Sequence, residues 1–255
     1  MRRTLNPTTG AEGGQGQGAS VPEASALDAI AAYDLVAPGY RELSERRRAY
    51  LDAVDAEILQ RVPQDAQSLI DVGAGDGRRA LQIAARAKIP QVVLVEPSAG
   101  MRALIPPGNE VWDDPMEALP ESPPKFDVVL CLWNVLGHVR SRELRVAGLK
   151  HLGRVCSGLI FLDVINRYNV AECGVGVVLR RFLSSENGDV LVRWETSQGD
   201  VETWSHVFAA AETQGMFREA GLRVVERVVL NYRTGGRSGW FGGGNLLYVL
   251  RADRD

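Results

Sequence analysis

The chain has 255 residues and a formal net charge of −3, enough for one α/β domain with an insertion and too acidic for a general nucleic-acid binder. No apolar run approaches the length of a membrane helix, and Met1-Arg2-Arg3 leads into polar Gly/Gln sequence rather than the apolar core of a secretory signal. Cys131, Cys156 and Cys173 are odd in number and lack metal-ligand spacing, which points to free thiols in a reducing cytoplasm and to no metal site.

Residues 1–25 are rich in Gly, Gln, Thr and Pro and read as a disordered tail. From residue 26 the pattern changes. Leu27, Ile30, Ala31 and Leu35 recur at helical spacing until Pro38-Gly39 breaks the run. A second helix is expected from Tyr40 to Arg61, with Leu43, Tyr50, Leu51, Val54, Ile58 and Leu59 on one stripe and Pro63 beyond its end. Residues 26–63 therefore form a helical cover, on which Arg46-Arg47-Arg48 reads as a solvated face.

The core alternation follows. Strands are expected at Ser68–Val72, Gln91–Val95, Glu110–Trp112, Phe126–Leu132 and Gly158–Asp163, with helices at Arg78–Ala87, Ser98–Leu104 and Arg142–Val155. Short apolar strands alternating with helices imply a mostly parallel sheet covered on both faces. The rhythm breaks over residues 164–208. There, two runs of period-two alternation, residues 190–196 and 201–207, flank Ser197-Gln198-Gly199-Asp200 and predict a β-hairpin. A helix over Ala209–Ala220 and two strands, Arg223–Leu230 and Leu246–Arg251 around a Gly-rich loop, complete the chain. Residues 26–255 thus read as a single domain, a Rossmann-like three-layer sandwich with a seven-stranded sheet and a β insertion after the fifth strand.

The stretch Asp71-Val72-Gly73-Ala74-Gly75-Asp76-Gly77 leaves the first core strand and opens a helix. Glycines there let a ligand lie against bare backbone beside a helix N-terminus. A dinucleotide fingerprint requires G-x-G-x-x-G, and Arg78 stands where its third glycine belongs. Glu96 ends the second strand, where a carboxylate reaches ribose hydroxyls and repels a 2′-phosphate.

These residues, with Val92-Val-Leu-Val-Glu96-Pro97-Ser98, resemble the first two motifs of class I S-adenosylmethionine-dependent methyltransferases. Asp114-Pro115-Met116-Glu-Ala-Leu-Pro120 is similar to that family's acidic loop, and Phe126-Asp-Val-Val-Leu-Cys131-Leu132-Trp133 to its fourth strand. The closing strands match its antiparallel end. Tyr33-Asp-Leu-Val-Ala-Pro-Gly-Tyr40 is similar to the entry segment of ubiquinone/menaquinone-type and glycine N-methyltransferase-like members. The likeness spans roughly residues 26 to 251 and names the methyl donor, not the acceptor.

The resemblance implies a role for each matching position. Gly73, Ala74, Gly75 and Gly77 would let backbone approach the cofactor, with Asp71 at its amino-acid end. Glu96 would take both ribose hydroxyls beside Pro97. Asp114 or Asp113 would accept from the adenine amino group, next to Pro115 and Met116. Cys131, Leu132 and Trp133 would line the methionine side.

Methyl transfer from a sulfonium is an in-line displacement, so alignment and exclusion of water carry much of the catalysis. Trp133 to His138 follows the fourth strand at the switch-point crevice, and His138 is the candidate general base, or else a histidine that caps a helix or bonds a loop carbonyl. Asn134, Asn166, Arg167 and Tyr168 are candidate acceptor contacts; the last three could instead anchor the insertion. Tyr33 and Tyr40 either close over the site or pack the cover. His206 reads as structural. The expected activity is methyl transfer to an N, O or C nucleophile of a small molecule enclosed by the cover and the hairpin. Two alternatives come from other classes, an NAD-linked oxidoreductase, disfavoured by the glycine spacing, and a non-catalytic S-adenosylmethionine-binding protein.

Overall fold

In the computed structural model, residues 4–5, 27–120, 122–183, 188–196 and 199–253 are described. Most of the expected disordered tail, and Ser197 and Gln198 of the hairpin turn, lie outside them. Thr4–Leu5 (β1) is followed by the cover: α1 (Ala29–Val36), a tight turn at Ala37–Gly39, α2 (Tyr40–Glu45) and α3 (Arg48–Leu59). The core then runs β2 (Ser68–Val72), α4 (Arg78–Ala87), β3 (Gln91–Val95), α5 (Ala99–Arg102), β4 (Glu110–Trp112), β5 (Phe126–Cys131), α6 (Arg142–Val155) and β6 (Cys156–Val164). After it come α7 (Val170–Cys173), α8 (Val175–Leu183), β7 (Asp189–Thr196) and β8 (Gly199–His206), and then α9 (Ala210–Glu219), β9 (Leu222–Leu230) and β10 (Asn245–Ala252).

The seven core strands lie in the order β4-β3-β2-β5-β6-β10-β9. The last strand of the chain, β10, runs antiparallel to both neighbours, and the other pairings are parallel. The order reverses between β2 and β5, which opens a crevice at their carboxyl ends, the usual place for ligands on open α/β sheets. One face of the sheet buries Phe126, Val129, Ile160 and Tyr248 against Leu149 and Leu152 of α6 and Met216 and Phe217 of α9. The other buries Leu69, Leu94, Val128 and Phe161 against Tyr50, Val54 and Ile58 of α3 and Ile83 of α4. Each large apolar side chain so buried contributes about 1.5–3 kcal/mol, so the sheet is the rigid frame of the crevice.

Two sequence expectations are corrected here. The helix expected over Tyr40–Arg61 breaks at Arg47, whose backbone (φ −114°, ψ 13°) leaves the helical region. The break serves packing. Leu43 joins Ala32, Val36, Val192, Trp194 and Val201 under the hairpin, whereas Tyr50 and Val54 face the sheet, and one straight helix cannot reach both. The insertion, expected to be a β-hairpin alone, also contains α7 and α8. Its strands pair from Asp189↔His206 to Thr196↔Gly199, with β1 on the outer edge of β7.

Candidate active site

The turn after β2 is tied down by its own backbone: the amides of Gly73 and Ala74 donate to the Val95 carbonyl at 2.8 and 2.9 Å. Gly73, Gly75 and Gly77 have φ of 80°, 62° and 71°, a region that side chains with a Cβ rarely occupy. A Cβ on Gly75 would sit 2.8 Å from the Tyr40 hydroxyl oxygen, and one on Gly77 would sit 2.6 Å from Leu94 Cδ1. Gly77 therefore packs α4 against β3, the work of the third glycine in a dinucleotide fingerprint, and it faces neither chamber described below. Glu96 closes the turn from the next strand, accepting from the Gly75 amide at 2.8 Å and from the Ser98 amide at 2.9 Å. Burial pushes its carboxyl pKa up against these two hydrogen bonds. Each oxygen keeps lone pairs for a further donor.

At the switch point lies a cleft of about 210 Å³. Gly73, Gly75, Glu96, Pro97, Asp114, Pro115, Met116, Leu132 and Trp133 all line it, with Tyr33, Tyr40 and His138 facing them from the cover and the loop after β5. Of the paired aspartates, Asp114 lines the cleft and Asp113 is exposed.

His138 does have partners. Its Nε2 lies 3.1 Å from the Tyr33 hydroxyl, and its Nδ1 lies 3.3 Å from the Trp204 carbonyl on β8. A carbonyl only accepts, so Nδ1 carries the proton, and in the neutral ring Nε2 accepts from Tyr33. The Tyr33 ring meets the imidazole edge-on at 5.3 Å and packs on Trp194 of the hairpin at 6.1 Å.

Beyond Tyr40 and Trp133, whose rings lie 5.7 Å apart, is a second chamber of about 120 Å³. Asp71, Ala74, Asp76, Asp55 and Arg79 line it. Arg79 donates to Asp55 of α3 at 2.6 Å, but its Nη2 and the Oδ1 of Asp71 are buried without a hydrogen-bond partner among the described residues. Burial pushes the Asp71 carboxyl pKa to about 7, with Arg79 opposing and Glu96 and Asp55 adding to the rise. Asp163, at the end of β6, is pushed by burial to about 6 against the pull of Arg79. Buried acids thus gather around one guanidinium and favour a further cation.

A methyltransferase domain family model matches residues 43–227, a span that contains the glycine turn, both chambers' floors and most of the sheet. The chain belongs to this methyltransferase family. It is a class I S-adenosylmethionine-dependent enzyme, and S-adenosylmethionine is its cofactor. A search of curated proteins finds no significant relative by sequence. Among solved structures, the CcbJ methyltransferase from Streptomyces caelestis superposes with a TM-score of 0.66 at 16% identity, covering 89% of this chain and 100% of that one. SAM-bound CalS10, an amino pentose methyltransferase from Micromonospora echinaspora, gives 0.55 at 20% identity over 84% and 97%. The sugar N-methyltransferase KedS8 from Streptoalloteichus sp ATCC 53650 gives 0.57 at 19% identity over 94% and 100%. At these identities the likeness is one of fold.

Two observations test whether the methyltransferase fits its cofactor. Gly73 and Gly75 line the cleft with no Cβ of their own, so backbone is presented to it between Val135 and Tyr40, and the second chamber is lined by Asp71 and Arg79, which offer an unpaired carboxylate oxygen and an unpaired guanidinium nitrogen. Both fit a nucleoside that carries a zwitterionic tail.

Several expected contacts prove to be structural. Cys131 is fully buried in the apolar face of β5, where burial pushes its thiol pKa well up, and only Leu132 and Trp133 beyond it reach the cleft. Asn134 is fully buried; it donates to Ser205 Oγ and the His206 carbonyl at 3.1 and 3.2 Å and accepts from the Ile165 amide at 2.9 Å. Asn166 donates to the carbonyls of Phe241 and Gly244 at 2.8 and 3.0 Å. Arg167 is buried and bonds the Arg181 carbonyl of α8, and Tyr168 meets Phe182 edge-on at 6.1 Å. The run after β6 thus anchors the insertion rather than lining the cleft, because its side chains are taken up by α8 and the loop before β10.

Other residues emerge only from the fold. Ser98 caps α5 through the Met101 amide, and Asp34 of α1 accepts from Ser98 Oγ at 2.6 Å and from the Gly100 amide at 2.8 Å, fastening the cover to the cofactor side. Ile30, Met101, Val135, Val139 and Leu144 supply the cleft's apolar surface. For Arg79 a signal existed: it is the charged residue on a helix face otherwise made of Ala80, Ile83 and Ala84.

Proposed function

We propose that this methyltransferase acts on a small-molecule acceptor, with an amine as the first class to test. The carrying observation is the Tyr33–His138 pair inside a largely apolar cleft walled by the cover, against which the hairpin packs through Trp194. A macromolecular acceptor needs an open platform. The cleft's ionisable lining is weighted to Asp28, Glu96, Asp114 and Glu117, with Arg140 as its cation, which supports a cationic acceptor such as a protonated amine. The amino pentose and sugar N-methyltransferases among the structural neighbours are consistent with that class.

In this reading Glu96 holds the ribose hydroxyls, Asp114 accepts from the adenine amino group, and Met101 and Met116 pack on the ring. The amino-acid end passes Tyr40 and Trp133 so that Asp71 meets the ammonium and Arg79 the carboxylate. The bound cofactor supplies an electrophilic methyl group. His138, its Nδ1 proton held on the Trp204 carbonyl, accepts at Nε2 from the Tyr33 hydroxyl, which can pass its own proton to the ring as it takes the acceptor's. The apolar lining excludes water that would compete for the electrophile. Cysteines 131, 156 and 173, none in a disulfide, fit work in a reducing cytoplasm.

The test is incubation of the enzyme and methyl-labelled cofactor with fractionated cell extract. Label in the small-molecule fraction, held by a basic nitrogen, is the expected outcome. Label confined to protein or RNA would overturn the acceptor class.

A further inference from the structure

Outside the cleft, charged groups from four elements meet beneath the loop that carries His138. His206, at the end of β8, has a side chain only 3% exposed and lies between two carboxylates. Its Nδ1 is 2.6 Å from Asp189 Oδ1 of β7, and its Nε2 is 2.8 Å from Glu212 Oε1 of α9. Ionised carboxylates only accept, so a ring with a carboxylate at each nitrogen carries a proton on both. Burial alone would lower the imidazolium's pKa. Asp189 and Glu212 outweigh burial and the repulsion of Arg145, and the pKa ends above the ordinary histidine value. Arg145 of α6 completes the group, reaching Asp189 at 3.5 Å and donating to the carbonyls of Val139 at 2.9 Å and Arg140 at 3.3 Å.

The strand that ends in this ring is the wall on which the loop is set. Trp204 gives His138 its carbonyl, Ser205 gives its hydroxyl oxygen to Asn134, and the His206 carbonyl accepts from Asn134 as well. Trp133 and Asn134 hold φ of 60° and 66°, a conformation that residues other than glycine keep only where their surroundings impose it. Gly137 fits so closely that a Cβ there would meet the His206 carbonyl oxygen at 2.6 Å. Arg145 holds the far end of the same loop.

We infer that the clasp formed by His206, Asp189, Glu212 and Arg145 sets the geometry of His138: it pins the root of the hairpin to α9 and α6, and so holds the Trp204 carbonyl where it fixes the His138 tautomer. His206 is then a positioning residue, one strand away from the reacting atoms. The inference rests on the proposed location of His138 in the reaction space and not on the identity of the acceptor. Through the clasp, the hairpin governs the base from outside the cleft. Deprotonation of His206 removes one donor from the clasp, so its hold is complete below the ordinary histidine pKa and is lost as pH rises through the raised value.

The chain has three histidines, so ring signals from full-length protein carrying isotope-labelled histidine can be assigned with His151→Gln and His206→Gln. Nuclear magnetic resonance of the wild type should show His138 in its Nδ1–H form and His206 protonated on both nitrogens beyond the ordinary range. As pH rises through the His206 transition, the His138 signals should shift with the same midpoint. Glu212→Gln should lower that midpoint, and His206→Gln should shift the His138 signals at neutral pH and expose its Nδ1 proton to exchange. In both variants S-adenosylhomocysteine affinity, measured by calorimetry, should match wild type. His138 signals that ignore the His206 transition in the wild type would overturn the inference, and that titration needs no variant to fold. Failure of the wild type to bind S-adenosylhomocysteine would count against the cofactor site alone, since the clasp is judged by the titration.

Discussion

The two chambers share a wall of Gly73, Tyr40, Leu132 and Trp133 and differ in almost everything else. The cleft is apolar, and its central acid, Glu96, is already engaged by two backbone amides. The second chamber is ionic, with a buried guanidinium among acids that retain unpaired oxygens. The contrast separates two kinds of recognition. A flat, neutral ring is selected by shape and a few hydrogen bonds, whereas a charged tail can leave water only where opposite charges wait for it.

Four measurements can break that division or sharpen it, with S-adenosylhomocysteine as the whole ligand and methylthioadenosine as the ligand without its amino-acid end. The largest effect is expected from Arg79→Met. Loss of one partner from the Arg79–Asp55 pair, which is 18% and 12% exposed, should cost about 3 kcal/mol of stability, seen as a lowered melting midpoint. With Asp55→Asn added to restore the fold, the double variant should bind S-adenosylhomocysteine weakly and methylthioadenosine normally. Equal losses for both ligands would erase the division between chambers.

Glu96→Ala should weaken both ligands alike by about 2 kcal/mol in calorimetry, because its hydrogen bonds are charge-assisted and serve the part they share. A smaller effect comes from pH. Asp71 titrates near 7 in the free protein, so below that value it is protonated and cannot pair with an ammonium. Affinity for S-adenosylhomocysteine should fall by about tenfold per pH unit below 7, with methylthioadenosine unaffected. The free protein follows the opposite sign. An acid whose pKa is raised on folding contributes stability that is full below its unfolded value and lost as pH rises through its folded one. Smallest on binding is Tyr33→Phe, which should leave both affinities unchanged and lower turnover; unchanged turnover would remove the hydroxyl from the proton path.

The cleft was far more legible in the sequence than the chamber, for a physical reason. Gly73, Gly75, Glu96 and Asp114 of the cleft each sit just beyond the carboxyl end of a strand, so chain order and strand periodicity locate them, as they do Asp71 among the chamber's ionic groups, at the end of β2. Arg79 and Asp55 meet only because α3 packs beside α4, a pairing that no local spacing announces. The same limit explains Asn134 and Asn166. Both leave strands at the crevice, as their positions indicate, but side-chain direction depends on backbone turns and on distant partners at β8 and the loop before β10. The mostly parallel sheet was legible from alternation and its antiparallel end from the family resemblance, whereas the break at Arg47 reflects packing under the hairpin, and α7 and α8 lie inside an insertion whose alternation announced only strands.

The paired left-handed residues Trp133 and Asn134 bear on how this protein can be altered. A glycine at either position would relax the backbone, and a screen that rewards robustness alone would accept it. At 133 the exchange would take down the ring that divides the chambers, and at 134 it would remove the two hydrogen bonds by which the hairpin holds the loop and a third to the Ile165 amide after β6. At these two neighbouring positions, selection for durability and selection for turnover would pull in opposite directions.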